Sequence, residues 1–271
     1  IGGGAWGTAL AQTAAGNGDD VLLWAREAEV VDAVNGSRAN PLFLPGIALA
    51  SGIRATGTLA DMADSDALLV VAPAQHLRSV LSGLPQLSIP LVLCAKGIER
   101  GTHAFLSDIV AAELPGASAS ILSGPSFAED IAAGLPTAIT LAAPDADRAE
   151  RLGRLLDSPA FRLYRSTDVR GAEIGGAAKN VLAIACGIAA GRKLGASAVA
   201  ALTARGFAEL SRFGRAFGAR PETLMGLSGL GDLVLTCASL QSRNFAFGHA
   251  LGHGLSLEDA AGGKLAEGAF T

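Results

Sequence analysis

The sequence predicts an α/β protein in which a doubly wound parallel sheet is followed by an all-helical C-terminal domain. Three observations carry this reading. Short apolar runs alternate with helical stretches up to about residue 168. The runs lack the apolar–polar alternation of a half-exposed sheet, as strands buried on both faces do. After Asp168 the chain becomes Ala-rich, with Val, Ile, Leu and Phe at helical spacings.

In order, the chain opens with a glycine turn, Gly2-Gly3-Gly4-Ala5-Trp6-Gly7, leading into a helical stretch, Thr8 to Ala15. Strands are expected at Val21 to Trp24, Ala67 to Val71, Leu91 to Ala95, Ala119 to Leu122 and Ala138 to Leu141, and a further helix at Gln75 to Leu84. The repeated β–α–β order is that of a doubly wound domain. Arg170 to Phe217 reads as helix, and Gly214 to Gly231 is punctuated by Gly and Pro before more helical material. The expected domains are residues 1–168 and 169–271, the second incomplete.

Composition narrows the function. Half of the 271 residues are hydrophobic and 17% are charged, so a large core is available and disorder is not expected. The mean hydropathy of +0.40 raises the question of a membrane. The longest apolar runs, Asp66 to Ala74 and Val181 to Gly191, fall short of the ~18–20 residues of a spanning helix, and no membrane insertion is expected. A net charge of −4 without a basic tail argues against nucleic acid. Cys94, Cys186 and Cys237 are widely spaced among apolar residues, as buried thiols of a reducing compartment are. Four His and no CxxC or HExxH pattern give no support to a metal. The chain starts at the glycine turn without Met and stops in a glycine-punctuated segment, so it reads as a fragment lacking its first strand and C-terminal end, with folding and activity at risk.

The glycine turn matches G-x-G-x-x-G. Its first Gly permits a tight turn, the second lets backbone approach a pyrophosphate, and the third lets the helix pack on the strand. A helix and then a strand follow at the distance that makes this a Rossmann-type dinucleotide site. Gly2, Gly4, Ala5, Trp6 and Gly7 are therefore candidate cofactor residues. The second strand ends in Ala25-Arg26 rather than the Asp or Glu that bonds the ribose of NAD. Arg26 can pair with a 2′-phosphate, which favours NADP over NAD, or stand as a solvated surface cation beside Glu27.

Further motifs follow from end to end. They are Asn40-Pro41 with Leu44-Pro45-Gly46, Ala72-Pro73-Ala74-Gln75, Lys96-Gly97-Ile98-Glu99, and Ser123-Gly124-Pro125-Ser126-Phe127-Ala128. Gly175-Gly176-Ala177-Ala178-Lys179-Asn180-Val181, Gly229-Leu230-Gly231-Asp232-Leu233, Thr236-Cys237, Ser242-Arg243-Asn244 and Glu267-Gly268 complete the series. In content and order they resemble the bacterial-type NAD(P)-dependent glycerol-3-phosphate dehydrogenase family. The resemblance implies an oxidoreductase that interconverts dihydroxyacetone phosphate and sn-glycerol 3-phosphate with NADP or NAD. It implies a cytoplasmic enzyme that supplies glycerol phosphate to phospholipid synthesis, with a homodimer as the family-level expectation. Ala5 departs from the Ser often found there, and Ala198 and Ala204 replace polar residues.

The chemistry can be argued beside the resemblance. Lys179 lies in a helical segment among small and apolar residues, and desolvation lowers a lysine pKa toward neutrality. The resemblance gives it the role of general acid in reduction and base in oxidation. Asp232 reads equally as a helix N-cap; in the family the matching Asp orients the lysine, with Thr236 one turn on. Ser242, Arg243 and Asn244 read either as a surface turn or as a phosphate cradle in which Arg supplies a fork of donors. The resemblance favours the cradle, with Arg243 also near the cofactor. Lys96 follows a strand at its carboxyl end, where such folds bind ligands, and is implied to touch substrate and cofactor. Gly124 and Ser126 are implied on the substrate side with Asn180, and Ala128, Leu265 and Glu267 on the cofactor side.

Two rival readings remain. Another dehydrogenase with a helical second half would share the glycine turn and a helical lysine, without needing Lys96-Gly97 and Ser242-Arg243-Asn244 together. A non-catalytic dinucleotide sensor would have no reason to keep Lys179, Asp232 and Arg243.

Overall fold

The computed structural model describes residues 1–262 and 266–269, divided between two compact units. The first comprises Ile1–Ala95, Ser107–Leu122 and Ser126–Thr167; the second comprises Lys96–Leu106, Ser123–Pro125 and the chain from Asp168.

The first unit is the α/β one. Its elements are α1 (Ala5–Gly16), β1 (Val21–Trp24), α2 (Ala28–Ser37), β2 (Ala39–Asn40), β3 (Leu44–Ala48), β4 (Ile53–Thr56) and β5 (Leu68–Val70). There follow α3 (Leu77–Ser82), β6 (Leu91–Leu93), α4 (Leu106–Glu113), β7 (Ala119–Ser123), α5 (Ala128–Ala132), β8 (Thr137–Ala142), α6 (Ala146–Leu156) and β9 (Phe161–Ser166). Strands β5 to β9 lie side by side in sequence order, and β5–β6, β6–β7 and β8–β9 pair in parallel. A second parallel pair joins β1 to β4. Ile1 and Gly2 stand between the two groups. Gly2 N–H donates to the Trp24 carbonyl at 2.9 Å, and the Ile1 carbonyl accepts from Val71 N–H at 2.8 Å. Two residues thus fill the place expected of a whole first strand.

Every residue of β6 and β7 is buried, as strands covered on both faces are. One core packs Ala9 and Leu10 of α1 with Val92, Leu122, Ile139, Leu141 and the α6 leucines Leu152 and Leu156. Another packs Ala11, Leu23, Ala25, Ile53 and Ala55 with Val30 and Val34 of α2. The structure adds strands that the apolar-run criterion missed. Strand β9 alternates buried Phe161 and Leu163 with exposed Arg162 and Tyr164, and β3 carries Pro45 and Gly46.

The second unit is helical: α7 (Val169–Gly191), α8 (Ala196–Ala216), α9 (Pro221–Met225), a π-turn (Leu227–Gly231), α10 (Asp232–Cys237), α11 (Arg243–Gly252) and α12 (Leu257–Ala261). Asp168 caps α7 by accepting from Gly171 N–H at 2.9 Å, and the same carboxylate accepts from Arg220 N–H at 2.8 Å. Helix α7 is the centre of this unit, packed by α8, α10 and α11. It has 23 residues, and its most apolar 18-residue window averages 1.4 in hydropathy, enough by length and composition to cross a membrane. Glu173, Lys179 and Asn180 interrupt its apolar sequence, so no uninterrupted apolar run reaches this length. Those three side chains are buried among neighbouring helices, and 61% of the window is covered within the fold.

Glycines let α7 and α11 approach backbone to backbone. A Cβ on Gly187 would stand 2.2 Å from the Phe245 carbonyl oxygen, and one on Gly248 would stand 2.0 Å from that of Ile184. No side chain larger than hydrogen fits at either position without moving a helix.

Candidate active site

The glycine turn forms as its sequence requires. Gly2 has φ +119°, and a Cβ on Gly7 would meet the Gly2 carbonyl oxygen at 1.9 Å. Gly4 precedes the first residue of α1, and the space where its Cβ would stand is open for 4 Å. Ala5 and Trp6 supply the first N–H groups of the helix, which have no carbonyl a turn earlier to receive them. An open concave turn at a helix N-terminus fits the pyrophosphate of a dinucleotide. Arg26 lies just beyond β1, exposed, with its guanidinium 2.7 Å from Glu27 Oε1. The surface-cation reading therefore has a partner in hand, and a 2′-phosphate would compete with Glu27 for it.

A polar cluster lies inside the helical unit. Lys179, nearly three turns into α7, is buried, and its Nζ donates to Asp232 Oδ1 and, at 2.9 Å, to Thr236 Oγ1. Thr236 in turn donates to the Asp232 backbone carbonyl at 2.6 Å, one helical turn back along α10. The other oxygen of Asp232 accepts from Lys96 Nζ at 2.6 Å, and that amine also reaches the Gly124 carbonyl at 3.2 Å. One fully buried carboxylate thus holds two ammonium groups. Burial pushes the Lys179 pKa down to about 8; the Asp232 charge resists this, and the Lys96 charge adds to it. Gly231, not Asp232, occupies the N-cap of α10, and no side chain caps that helix. The carboxylate is committed to the two lysines.

Close packing makes the cluster. A Cβ on Gly176 would meet Ser123 Oγ at 2.8 Å and Lys96 Cγ at 3.1 Å, so glycine there leaves room for the Lys96 stem. Ser123 Oγ is buried without a hydrogen-bond partner among the described residues. The sequence reading assigned neither residue, although both lie in motifs it singled out.

Asn180, next to Lys179, accepts at Oδ1 from Asn244 Nδ2 at 3.1 Å. Asn244 Oδ1 accepts from Gly268 N–H at 2.8 Å. Asn180 Nδ2 is buried and lacks a protein acceptor among the described residues, a donor suited to a ligand oxygen. Ser242 is the N-cap of α11, accepting from Phe245 N–H at 3.3 Å, which aims the adjacent Arg243 outward. Arg243 is 72% exposed, with Nη2 3.7 Å from Glu267 Oε1. Gly124 falls in the helical unit, whereas Ser126 and Ala128 fall in the first. Leu265 lies outside the described residues.

A glycine turn built for a pyrophosphate and a buried lysine with its pKa lowered to about 8 define a dinucleotide-dependent oxidoreductase. Residues 1–149 match the family model for the NAD-dependent glycerol-3-phosphate dehydrogenase N-terminus, and residues 168–271 match that for its C-terminus. The chain belongs to the NAD-dependent glycerol-3-phosphate dehydrogenase family. It is 62% identical over 275 residues to the glycerol-3-phosphate dehydrogenase (NAD(P)+) of Methylobacterium radiotolerans, covering all of this chain and 83% of that protein. It is 59% identical to that of Parvibaculum lavamentivorans, over 97% of this chain and 80% of that one. The crystal structure of glycerol-3-phosphate dehydrogenase from Coxiella burnetii superposes with a TM-score of 0.93 at 39% identity, covering 98% of this chain and 84% of that one.

Proposed function

We propose that this chain interconverts dihydroxyacetone phosphate and sn-glycerol 3-phosphate, using NAD or NADP, and that Lys179 is its proton-transfer residue. The observation that carries the proposal is the buried amine of Lys179, held by Asp232 and Thr236 with its pKa lowered to about 8. A bound nicotinamide supplies or accepts the hydride at the substrate carbon. In reduction, the Lys179 ammonium gives a proton to the ketone oxygen; in oxidation, the free amine takes it back. Asp232 fixes the amine's direction through one oxygen, while its bond to Lys96 through the other holds a second cation beside the forming alkoxide. Asn180 Nδ2, Asn244 and the guanidinium of Arg243 are the groups assigned to the substrate phosphate, with Gly124 and Ser126 on the same ligand. Thr236, bonded to the Lys179 amine, is assigned to the catalytic group and Ser242, the N-cap of α11, to the substrate, while Glu267, Leu265 and Ala128 are assigned to the cofactor.

Residues 1–168 are proposed as the dinucleotide-binding domain and residues 169–271 as the substrate and catalytic domain. The physiological setting proposed is the cytoplasm, with a homodimer making glycerol phosphate for phospholipid synthesis. Arg26 is proposed to admit NADP.

Substituting Lys179→Met tests the assignment. The expected result is a fall in kcat of about 10²–10⁴-fold, with the dissociation constant of NADPH changed less than about twofold. Retained turnover would remove Lys179 from the chemistry.

A further inference from the structure

The glycine turn is held from behind by a side chain from a different segment. Asn40, at the end of β2, is fully buried. Its Nδ2 donates to the Gly3 carbonyl at 2.8 Å and to Thr8 Oγ1 at 2.8 Å, and its Oδ1 accepts from Phe43 N–H at 3.2 Å. The Thr8 hydroxyl passes the interaction on, donating to the Gly4 carbonyl at 2.9 Å. One amide thus ties the Gly3 carbonyl inward directly, and through the Thr8 hydroxyl it adds to the hold on the Gly4 carbonyl, which also accepts from Thr8 N–H at 2.9 Å in the first turn of α1.

This fixes more than the carbonyls. In a planar trans peptide the C=O of one residue and the N–H of the next point in opposite directions. Holding the Gly3 carbonyl inward therefore aims the Gly4 N–H outward, and holding the Gly4 carbonyl inward aims the Ala5 N–H outward. Those are the donors of a helix N-terminus, which a pyrophosphate accepts. Glycine at positions 2, 3 and 4 leaves the backbone soft, so an external brace is what selects one orientation.

We propose that Asn40 is a positioning residue of the dinucleotide site, aiming the Gly4 and Ala5 N–H groups at the cofactor pyrophosphate without touching the cofactor. The inference rests on reading the turn as a dinucleotide site. It requires a donor at Asn40 Nδ2, since both of its partners there accept. An aspartate has the same shape and donates only when protonated.

The test compares Asn40→Asp with the unsubstituted protein in steady-state kinetics at about pH 8 and about pH 6. The expected result at the higher pH is a rise of about tenfold in the KM for NADPH, with kcat and the KM for dihydroxyacetone phosphate within about twofold. At the lower pH a buried carboxyl regains its proton, and the excess over the unsubstituted protein should shrink. Thr8→Val, which removes the hydroxyl branch but keeps the direct Asn40 bond to the Gly3 carbonyl, should raise the KM for NADPH by a smaller factor, and it serves as the test if Asn40→Asp does not fold. An NADPH titration read by the fluorescence of the two tryptophans, Trp6 in the turn and Trp24 at the end of β1, gives the same comparison without turnover, so failure of the proposed reaction and failure of the brace are separable. A lowered melting temperature with an unchanged KM for NADPH would make Asn40 a structural residue only. A rise equally large at both pH values would also overturn the proposal.

Discussion

At the residue scale, the behaviour of the site turns on one lysine and the charges around it. Its pKa of about 8 sets a sign that can be worked out. Reduction consumes the ammonium form, which is complete below the pKa, so kcat for dihydroxyacetone phosphate reduction should hold at low pH and fall as pH rises through about 8. Oxidation consumes the free amine and should rise through the same region. Asp232→Asn removes the charge that pulls the pKa upward, so the fall in reduction should move to lower pH in the residual activity. Pre-steady-state pH profiles in both directions check this; parallel profiles, or no displacement in the variant, would contradict it.

Much at this scale was legible in the sequence. Lys179 with Asn180, Asp232 with Thr236, and Asn244 sit in compact motifs, and the structure brings Lys179, Asp232 and Thr236 into one hydrogen-bonded group. The second cation on Asp232 was not legible. Lys96 and Asp232 are separated by 136 positions, and nothing local says that two lysines share one carboxylate. Asn40 lies in a motif visible in the sequence, but its partners Gly3 and Thr8 lie on a segment more than thirty residues away. Side chains whose work is to hold another segment leave little trace in local pattern.

At the scale of elements, glycines govern how closely helices pack. Helices α7 and α11 meet at Gly187 and Gly248, and α11 carries Arg243 and Asn244. Gly248→Ala would place a methyl 2.0 Å from the Ile184 carbonyl oxygen. The expected cost is about 1–3 kcal/mol of stability in urea unfolding, with a higher KM for dihydroxyacetone phosphate as α11 shifts. Unchanged stability would mean that the two helices tolerate separation. The same scale shows which elements sequence reading finds. Strands β6 and β7 are continuous apolar runs because both faces are covered. Strand β9 sits at the sheet edge with Arg162 and Tyr164 exposed, so its alternating pattern escapes a search for apolar runs. Strand β2 has two residues, too few for any periodicity.

At the scale of the whole molecule, the chain is an α/β unit that presents a glycine turn and a helical unit that buries a lysine–carboxylate cluster. Cofactor choice belongs here, because it depends on a loop outside both clusters. The Arg26 guanidinium is paired with Glu27 at 2.7 Å in an exposed setting. If Arg26 also takes the 2′-phosphate, Arg26→Ala should lower the NADPH-to-NADH ratio of kcat/KM by about tenfold, with NADH activity within about twofold. An unchanged ratio would leave Arg26 a surface cation. The most direct test of the proposed reaction is cofactor oxidation with dihydroxyacetone phosphate set beside unphosphorylated dihydroxyacetone. Turnover with the phosphorylated ketone is expected, with a loss of several orders of magnitude in kcat/KM without the phosphate. Equal rates with both ketones, or NADPH binding without turnover of either, would contradict it.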